Sequence, residues 1–418
     1  MDFKLLSSIV LALVSVAAFG QQPKSEADSF VDGLMAKMTL EEKIGQLNLP
    51  NSSSFVAGIS QGAGTKSMEE RIADGELGGL FGLKGAASIR KLQETAVEKS
   101  RLHIPMLFGL DVIHGYDITF PIPLALSSSW NMDLIERMAR ISATEASSDG
   151  VCWVFSPMVD ISHDARWGRV AEGAGEDPYL GARVARAYVK GYQTDNELTA
   201  YDNVMACVKH YALYGAAEAG RDYNTVDMSR QKIMNEYMAP YKAAADQGAG
   251  SFMASFNEFE GIPATANRYL LDEVLRKQWG FDGFIVTDYT GIMEMVNHGI
   301  GDQREVTARA INAGIDMDMV SGFFIDYLKD CIDSGAVGIE TVNQACRRVL
   351  LAKYRLGLFE DPYRYCNEER SKATLGNPDN LKESRRIAGE CQVLLKNEGN
   401  LLPLRKDMKI ALVGPLAD

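Results

Sequence analysis

Short apolar runs recur along the chain, each too brief for a helix and each followed by a longer amphipathic stretch. They are GGLFGL (78–83), PMLFGLD (105–111), CWVFSPMVD (152–160), VMACVKH (204–210), SFMASFN (251–257), GFIVTD (283–288) and GIDMDM (314–319). Near-continuous hydrophobicity over so few residues is what a strand buried on both faces requires. Between the runs, apolar residues fall at helical spacing. Leu134, Met138 and Ile141 stand at i, i+4 and i+7, and Val342, Ala345, Val349 and Leu350 at i, i+3, i+7 and i+8, in a segment that stops at Gly357. Thr39, with Glu42 three residues on, makes the capping-box pattern that opens a helix ahead of the first run. Strands alternating with helices predict an α/β protein with a parallel sheet inside. Seven or so such units in about 300 residues suit a (β/α)8-type, TIM-like barrel, regular or not, better than an open doubly wound sheet. No G-x-G-x-x-G follows the first run to mark a dinucleotide site.

The two ends of the chain read differently. MDFKLLSSIVLALVSVAAFGQQPK carries Lys4, an apolar run from Ile9 to Phe19 and the small residues Ala18 and Gly20. That is the order of a secretory signal over residues 1–20, with cleavage after Gly20. The run is short for a bilayer span, and no other segment is long and apolar enough to cross a membrane. Export is the expectation, to the periplasm first and the cell exterior second. The barrel is expected over 21–360. Residues 361–380 are rich in Pro, Asn and charge and read as a linker. A helix (381–396), a turn at NEGNLLPL and a strand in MKIALVGPLAD follow. One helix and one strand do not close a core, so 381–418 reads as the truncated start of a second α/β sandwich domain.

Composition narrows the function classes. With 46% hydrophobic residues the chain can bury a large core, and 43 basic against 56 acidic residues leave a net charge of −13. No dense Lys/Arg cluster interrupts this, which argues against nucleic acid and anionic membrane as partners. The six cysteines are scattered through apolar stretches without a C-x-x-C pair and read as buried thiols. His103, His114, His163 and His298 show no H-x-x-x-H spacing, so neither a metal nor another cofactor is expected. GISQG (58–62) fits the nucleophile-elbow pattern, but no long apolar strand leads into it, and it reads as chance.

The apolar runs end alike. They finish on Asp111, Asp160, Lys209–His210, Asn257 and Asp288, and the last carries Asp316 and Asp318. In a barrel the C-terminal strand ends face one mouth, so these groups are expected to converge on one pocket. Asp288 is the most pointed case. Phe284, Ile285 and Val286 lead straight to it, and no lysine or arginine lies within five residues. Desolvating a carboxylate is costly, so a bare one at the end of a buried strand implies a use.

The stretches LDVIHG, WGRVAEGAGEDP, VKHYALYGAAEAGRDYNTVDM, ASFNEFEGIPATAN, FIVTDYTG and VLLKNEGNLLPL together resemble glycoside hydrolase family 3, and within it the periplasmic β-glucosidases, over about residues 30–418. The resemblance implies a retaining, exo-acting β-glucosidase that removes terminal non-reducing β-D-glucosyl residues from β-linked oligosaccharides or glucosides. Asp288 would be the nucleophile, forming a covalent glycosyl-enzyme. Asp111 would accept hydrogen bonds from sugar hydroxyls, while Arg169, Lys209 and His210 would donate to them. Arg221 would be a further donor, Met253 an apolar wall and Tyr289 an aromatic rim. Arg166 is expected to pair with Glu172 or Glu176 as scaffold, and Asp177 to cap a helix with Pro178 at its first position.

The general acid/base stays unassigned. In two-domain members that glutamate comes from the second domain or its loops, and the in-chain candidates, Glu218 and Asp222, are weak. Three alternatives remain at this stage. One is a β-xylosidase of the same family. Another is a sugar-binding but inactive fragment lacking its acid/base. The last is a Schiff-base lyase using Lys209.

Overall fold

The computed structural model describes residues 25–52, 66–194, 198–415 and 417. The expected signal over 1–20 and the GISQG pentapeptide lie outside the described residues.

Eight short strands run through the centre: β1 (Asn48–Leu49), β2 (Gly79–Phe81), β3 (Leu107–Leu110), β4 (Trp153–Val154), β5 (Met205–Tyr211), β6 (Ser251–Ala254), β7 (Phe284–Val286) and β8 (Asp318–Met319). Strands β2 to β7 form one parallel sheet in chain order, and β1 pairs in parallel with β8. Single parallel bridges, Asn51 to Phe81 and Val286 to Met317, join the two sheets at both edges. The eight strands therefore close in sequence order, as the α/β barrel expectation requires. Strands β2 to β8 overlap the seven apolar runs. The remaining strand, β1, has no such run: it is two residues long, between the capped helix Leu40–Gly45 and Pro50.

Closure is dense. All seven residues of β5 are buried. Trp153 packs edge-on against Phe155 and Phe284, with ring centroids 4.8 and 5.0 Å away, and donates its indole N–H to Ser251 Oγ at 2.8 Å. This packing needs Gly109 on β3, because a Cβ there would come within 2.6 Å of the Phe155 ring. Outside the sheet, the helices Met132–Ser148 and Pro178–Gln193 cross closely. At Gly191 a Cβ would stand 2.5 Å from that of Ala139. Leu134, Met138 and Ile141 face inward as their spacing predicts, as do Val342, Ala345, Val349 and Leu350 on Ile339–Arg355. Asp177 caps Pro178–Gln193 by accepting from Leu180 N at 2.6 Å. All six cysteines are buried free thiols.

Three of the polar run-end residues serve the scaffold instead of the mouth. Asn257 donates to the Ala212 carbonyl, and Asp318 accepts from Phe324 N, with burial pushing its carboxyl up to about 6. Asp316 is 1% exposed and lies between the guanidinium groups of Arg276 and Arg348, and it also accepts from Ile285 N at 2.8 Å. Helix stops are also displaced from their expected places. The stretch read as linker contains the helix Glu368–Thr374, and the next helix runs Pro378–Glu390, starting early because Asn377 caps it. Both are tied to the barrel: Ser371 Oγ donates to Asp149 at 2.9 Å, Arg370 to the Tyr201 and Ser147 carbonyls, and Ser384 Oγ to the Thr119 carbonyl. The expected strand in MKIALVG forms no ladder among the described residues. Ile410, Leu412 and Val413 lie exposed there, since a lone strand has nothing to pair with.

Removing a buried anion from between two cations leaves both uncompensated. Asp316→Ala is therefore expected to destabilise the fold by about 3 kcal/mol, read as a lower urea midpoint at unchanged m-value. An unaltered midpoint would show that the two arginines find other partners.

Candidate active site

The C-terminal strand ends enclose a cavity of about 330 Å³, lined by Phe81, Asp111, Ile113, Phe155, Arg169, Glu172, Lys209, His210, Met253, Asp288, Tyr289 and Met319. Its walls come from β2 (Phe81), the residues just past β3, β4 and β7 (Asp111, Phe155, Asp288), β5 (Lys209, His210), β6 (Met253) and β8 (Met319). In a regular strand adjacent side chains point to opposite faces. Lys209 and His210 are neighbours, yet both line the cavity; the pairing of β5 with β6 shifts register between Val208 and Tyr211 at this point. Of the eight expected site residues, seven therefore come together. Arg221 does not: it is exposed and absent from the lining.

The charged groups are paired, with one exception. Lys209 Nζ donates to Asp111 Oδ1 at 2.6 Å; the lysine side chain is 5% exposed, while Asp111, at 56%, keeps most of its carboxylate open. Arg169 grips Glu172 with two bonds of 2.7 and 2.9 Å and lies over the Tyr214 ring. Burial alone would lower the Arg169 pKa, but the Glu172 carboxylate outweighs it and the net shift is upward. Burial would likewise raise that of Glu172, and the same pairing holds it below the usual carboxylate range. Arg166 pairs with Asp164 at 2.6 Å, not with Glu172 or Glu176; its near neighbour two residues back outcompetes both.

Asp288 is the exception. Oδ1 accepts from Tyr289 N at 2.7 Å, whereas Oδ2 is buried without a hydrogen-bond partner among the described residues. Its pKa is raised by burial, against the opposing fields of His210, Lys209 and Arg169. The sequence shows no local cation, but the fold brings Lys209, Arg169 and the His210 ring to it from elsewhere in the chain. None is hydrogen-bonded to Asp288: Lys209 is held by Asp111, Arg169 by Glu172, and His210 Nε2 stands 3.6 Å from Oδ2. A carboxylate in this condition stays available to attack an electrophilic carbon.

Behind His210 lies a second carboxylate. Asp160 Oδ2 accepts from His210 N at 2.9 Å and from Nδ1 at 3.0 Å. The Tyr241 hydroxyl, on the helix Ala239–Asp246, is 2.6 Å from Asp160 Oδ1 and 2.7 Å from the His210 carbonyl oxygen. Asp160 was expected at the mouth by its strand-end position; it instead supports His210 from beneath. Tyr241 and Phe155 carry no sequence signal that separates them from ordinary core aromatics, and Glu172 reads only as a scaffold partner. Neither Glu218 nor Asp222 lines the cavity; Asp222 accepts from the Trp167 indole N–H at 2.8 Å. Among the lining carboxylates, Glu172 is bound to Arg169 and kept ionised, which makes it a poor proton donor.

Fold and site together define a (β/α)8 barrel with a carboxylate-lined pocket at the C-terminal strand ends. Residues 39–352 match the model of the glycosyl hydrolase family 3 N terminal domain, and the chain belongs to that family. It is 44% identical over 408 residues to a periplasmic beta-glucosidase of Salmonella typhimurium, covering 96% of this chain and 52% of that protein. A beta-xylosidase of Formosa agariphila is 32% identical over 400 residues, covering 90% and 55%. A beta-glucosidase of Listeria innocua, solved in complex with isofagomine, superposes with a TM-score of 0.89 at 39% identity, over 94% of this chain and 55% of that one. The chain thus spans about half the length of the relatives it matches.

The raised pKa of Asp288 has a measurable sign. The folded protein holds that proton more tightly than the unfolded chain, so stability falls as pH rises from the ordinary carboxylate value through the raised one. The deficit is complete above that range. Asp288→Asn is expected to raise the stability at pH 7 by about 1.4 kcal/mol for each unit of upshift removed, read as a higher melting temperature, with the gain fading on acidification. A variant less stable than wild type at pH 7 would contradict the burial argument.

Proposed function

We propose that this chain carries the nucleophile and sugar-binding groups of a retaining, exo-acting β-glucosidase. It would take terminal non-reducing β-D-glucosyl residues from β-linked oligosaccharides or glucosides, in an exported, periplasmic setting. The observation that carries the reading is Oδ2 of Asp288, which has no hydrogen-bond partner among the described residues, in a pocket whose other charges are already held. In the first half-reaction Asp288 bonds to the anomeric carbon as the glycosidic bond breaks, and the leaving oxygen takes a proton. In the second, water bonds to the anomeric carbon as the ester to Asp288 breaks, its proton returns to the group that protonated the leaving oxygen, and the configuration is restored. The exposed edge of Asp111 accepts sugar hydroxyls, Lys209 and Arg169 donate to the ring, and Met253 and Tyr289 bound it. Family membership and the likeness to named β-glucosidases support glucose as the sugar over xylose, whose relatives are less similar. No lining carboxyl suits the role of proton donor, so that group is assigned outside the cavity lining.

A substrate that needs no protonation tests this part alone. Incubation with 2,4-dinitrophenyl 2-deoxy-2-fluoro-β-glucoside is expected to release one equivalent of dinitrophenolate and leave a fluoroglucosyl ester on Asp288, located by peptide mass mapping. Asp288→Ala should not label. Asp111→Ala should label about 10- to 100-fold more slowly, the worth of one or two hydrogen bonds to a charged group. Faster labelling by the corresponding xyloside would move the assignment to β-xylosidase, and an ester on any other residue would overturn it. Because attack needs an ionised Asp288, the labelling rate should fall on acidification through a value above about 3.9, the ordinary aspartate pKa.

A further inference from the structure

We propose that Tyr223, on the loop beyond β5 and outside the cavity lining, is a stacking platform for the leaving group, taking the flat face of a second sugar or an aryl ring. This deepens the reading of Asp288 as nucleophile and rests on it.

The ring stands on the outward continuation of the cavity wall. An exo-acting site takes the terminal sugar whole, so whatever is attached to its C1 projects past the rim. Strands β5 and β6 end at Tyr211 and Ala254, and residues beyond those ends lie outward at the mouth. Tyr214, just past β5, is buried; it meets the His210 ring edge-on at 5.1 Å and carries the Arg169 guanidinium over its face at 5.5 Å. The Tyr223 ring follows, 6.0 Å from that of Tyr214 and 4.6 Å from that of Phe256, three residues past Met253. His210, Arg169 and Met253 line the cavity, whereas Tyr214, Tyr223 and Phe256 extend it outward. The pKa of the Tyr223 phenol is raised, first by burial and then by the charge of Asp288, with Arg169 opposing, so the hydroxyl lies within reach of both fields.

The loop holds this ring out against its own preference. Tyr223 has φ at +64°, a left-handed conformation that a bulky side chain adopts only under constraint. The constraint comes from both neighbours. Asp222 accepts from the Trp167 indole N–H at 2.8 Å, and Asn224 donates through its backbone N–H to the Arg221 carbonyl and through its side chain to the Glu218 carbonyl. Trp167 in turn packs with Met158 and Tyr214 in a small apolar cluster apart from the barrel core, and Phe256 lies against that cluster. Tyr223 is nonetheless 49% exposed, so the ring adds little burial to the fold. An aromatic side chain on a tied, strained backbone is ordered before any ligand arrives, and its open face suits a flat apolar partner. Tyr289 differs in lining the cavity itself, beside the sugar that is transferred.

Two measurements test the platform, both read as labelling of Asp288. The first compares 2,4-dinitrophenyl 2-deoxy-2-fluoro-β-glucoside with 2-deoxy-2-fluoro-β-glucosyl fluoride, whose leaving group is a single atom with nothing to stack. The ratio of the two labelling rates should fall about 2- to 10-fold in Tyr223→Ala, the worth of one aromatic contact. Tyr223→Phe keeps the ring and should keep the wild-type ratio. An unchanged ratio in Tyr223→Ala would overturn the proposal. So would an equal loss in Tyr223→Phe, which would assign the effect to the hydroxyl. The second measurement uses the unaltered chain and is independent of how a variant folds. Phenyl β-thioglucoside should protect Asp288 from the glucosyl fluoride at lower concentration than methyl β-thioglucoside does, and equal protection would reject the platform. In each of these failures the wild type still labels. Wild-type protein that labels with neither reagent would sink the glucosidase reading itself, and the platform with it.

Discussion

The whole site is organised around the difficulty of keeping a carboxylate charged away from water. Burial raises the pKa of Asp288, the carboxylate proposed as nucleophile, and so drives it toward the inert protonated form. A lysine hydrogen-bonded to it would secure the charge but occupy the oxygen proposed to attack. The protein resolves this by placing near Asp288 two cations that are already committed, Lys209 to Asp111 and Arg169 to Glu172. Their fields reach Oδ2 while their hydrogen bonds go elsewhere.

The barrel makes this arrangement possible. These side chains come from several strand ends and loops, and closing the sheet brings them together. The core beneath has to be rigid for such spacing to mean anything. Trp153, Phe155 and Phe284 interlock under the mouth, and Gly109 leaves the gap that Phe155 fills. Polar groups that look equivalent in sequence are divided by depth: Asp111 and Asp288 open into the cavity, Asp160 sits one layer down, and Asp316 is locked between two arginines in the scaffold.

Much of this is legible in the chain. The apolar runs locate seven strands because strands buried on both faces must be apolar throughout. The strand β1 escapes because two residues are too few to show any period. Asp288, Asp111 and the Lys209–His210 pair are legible because charge at the end of an apolar run demands a reason. What sequence cannot supply is which partner each charge finds. Arg166 chose Asp164 over Glu172, freeing Glu172 for Arg169, and only distances decide that contest. Tyr241 is invisible for the same reason, being one aromatic among many until its hydroxyl is seen against Asp160. Arg221 shows the opposite failure: a motif position suggested a pocket group, and the backbone left it in solvent.

The bonding of the stretch after residue 360 also has a practical side. Its polar residues are there to be bonded: Ser371 reaches Asp149, which also takes the Tyr116 hydroxyl and the backbone of Gly85 and Ala86, while Arg370 and Ser384 clasp the carbonyls of Tyr201, Ser147 and Thr119. A protease nick in this belt would leave both pieces clamped together through contacts that are many and dispersed. Digestion mapping would then report a single tough unit reaching to about residue 390, where amino-acid usage alone would draw a border thirty residues earlier.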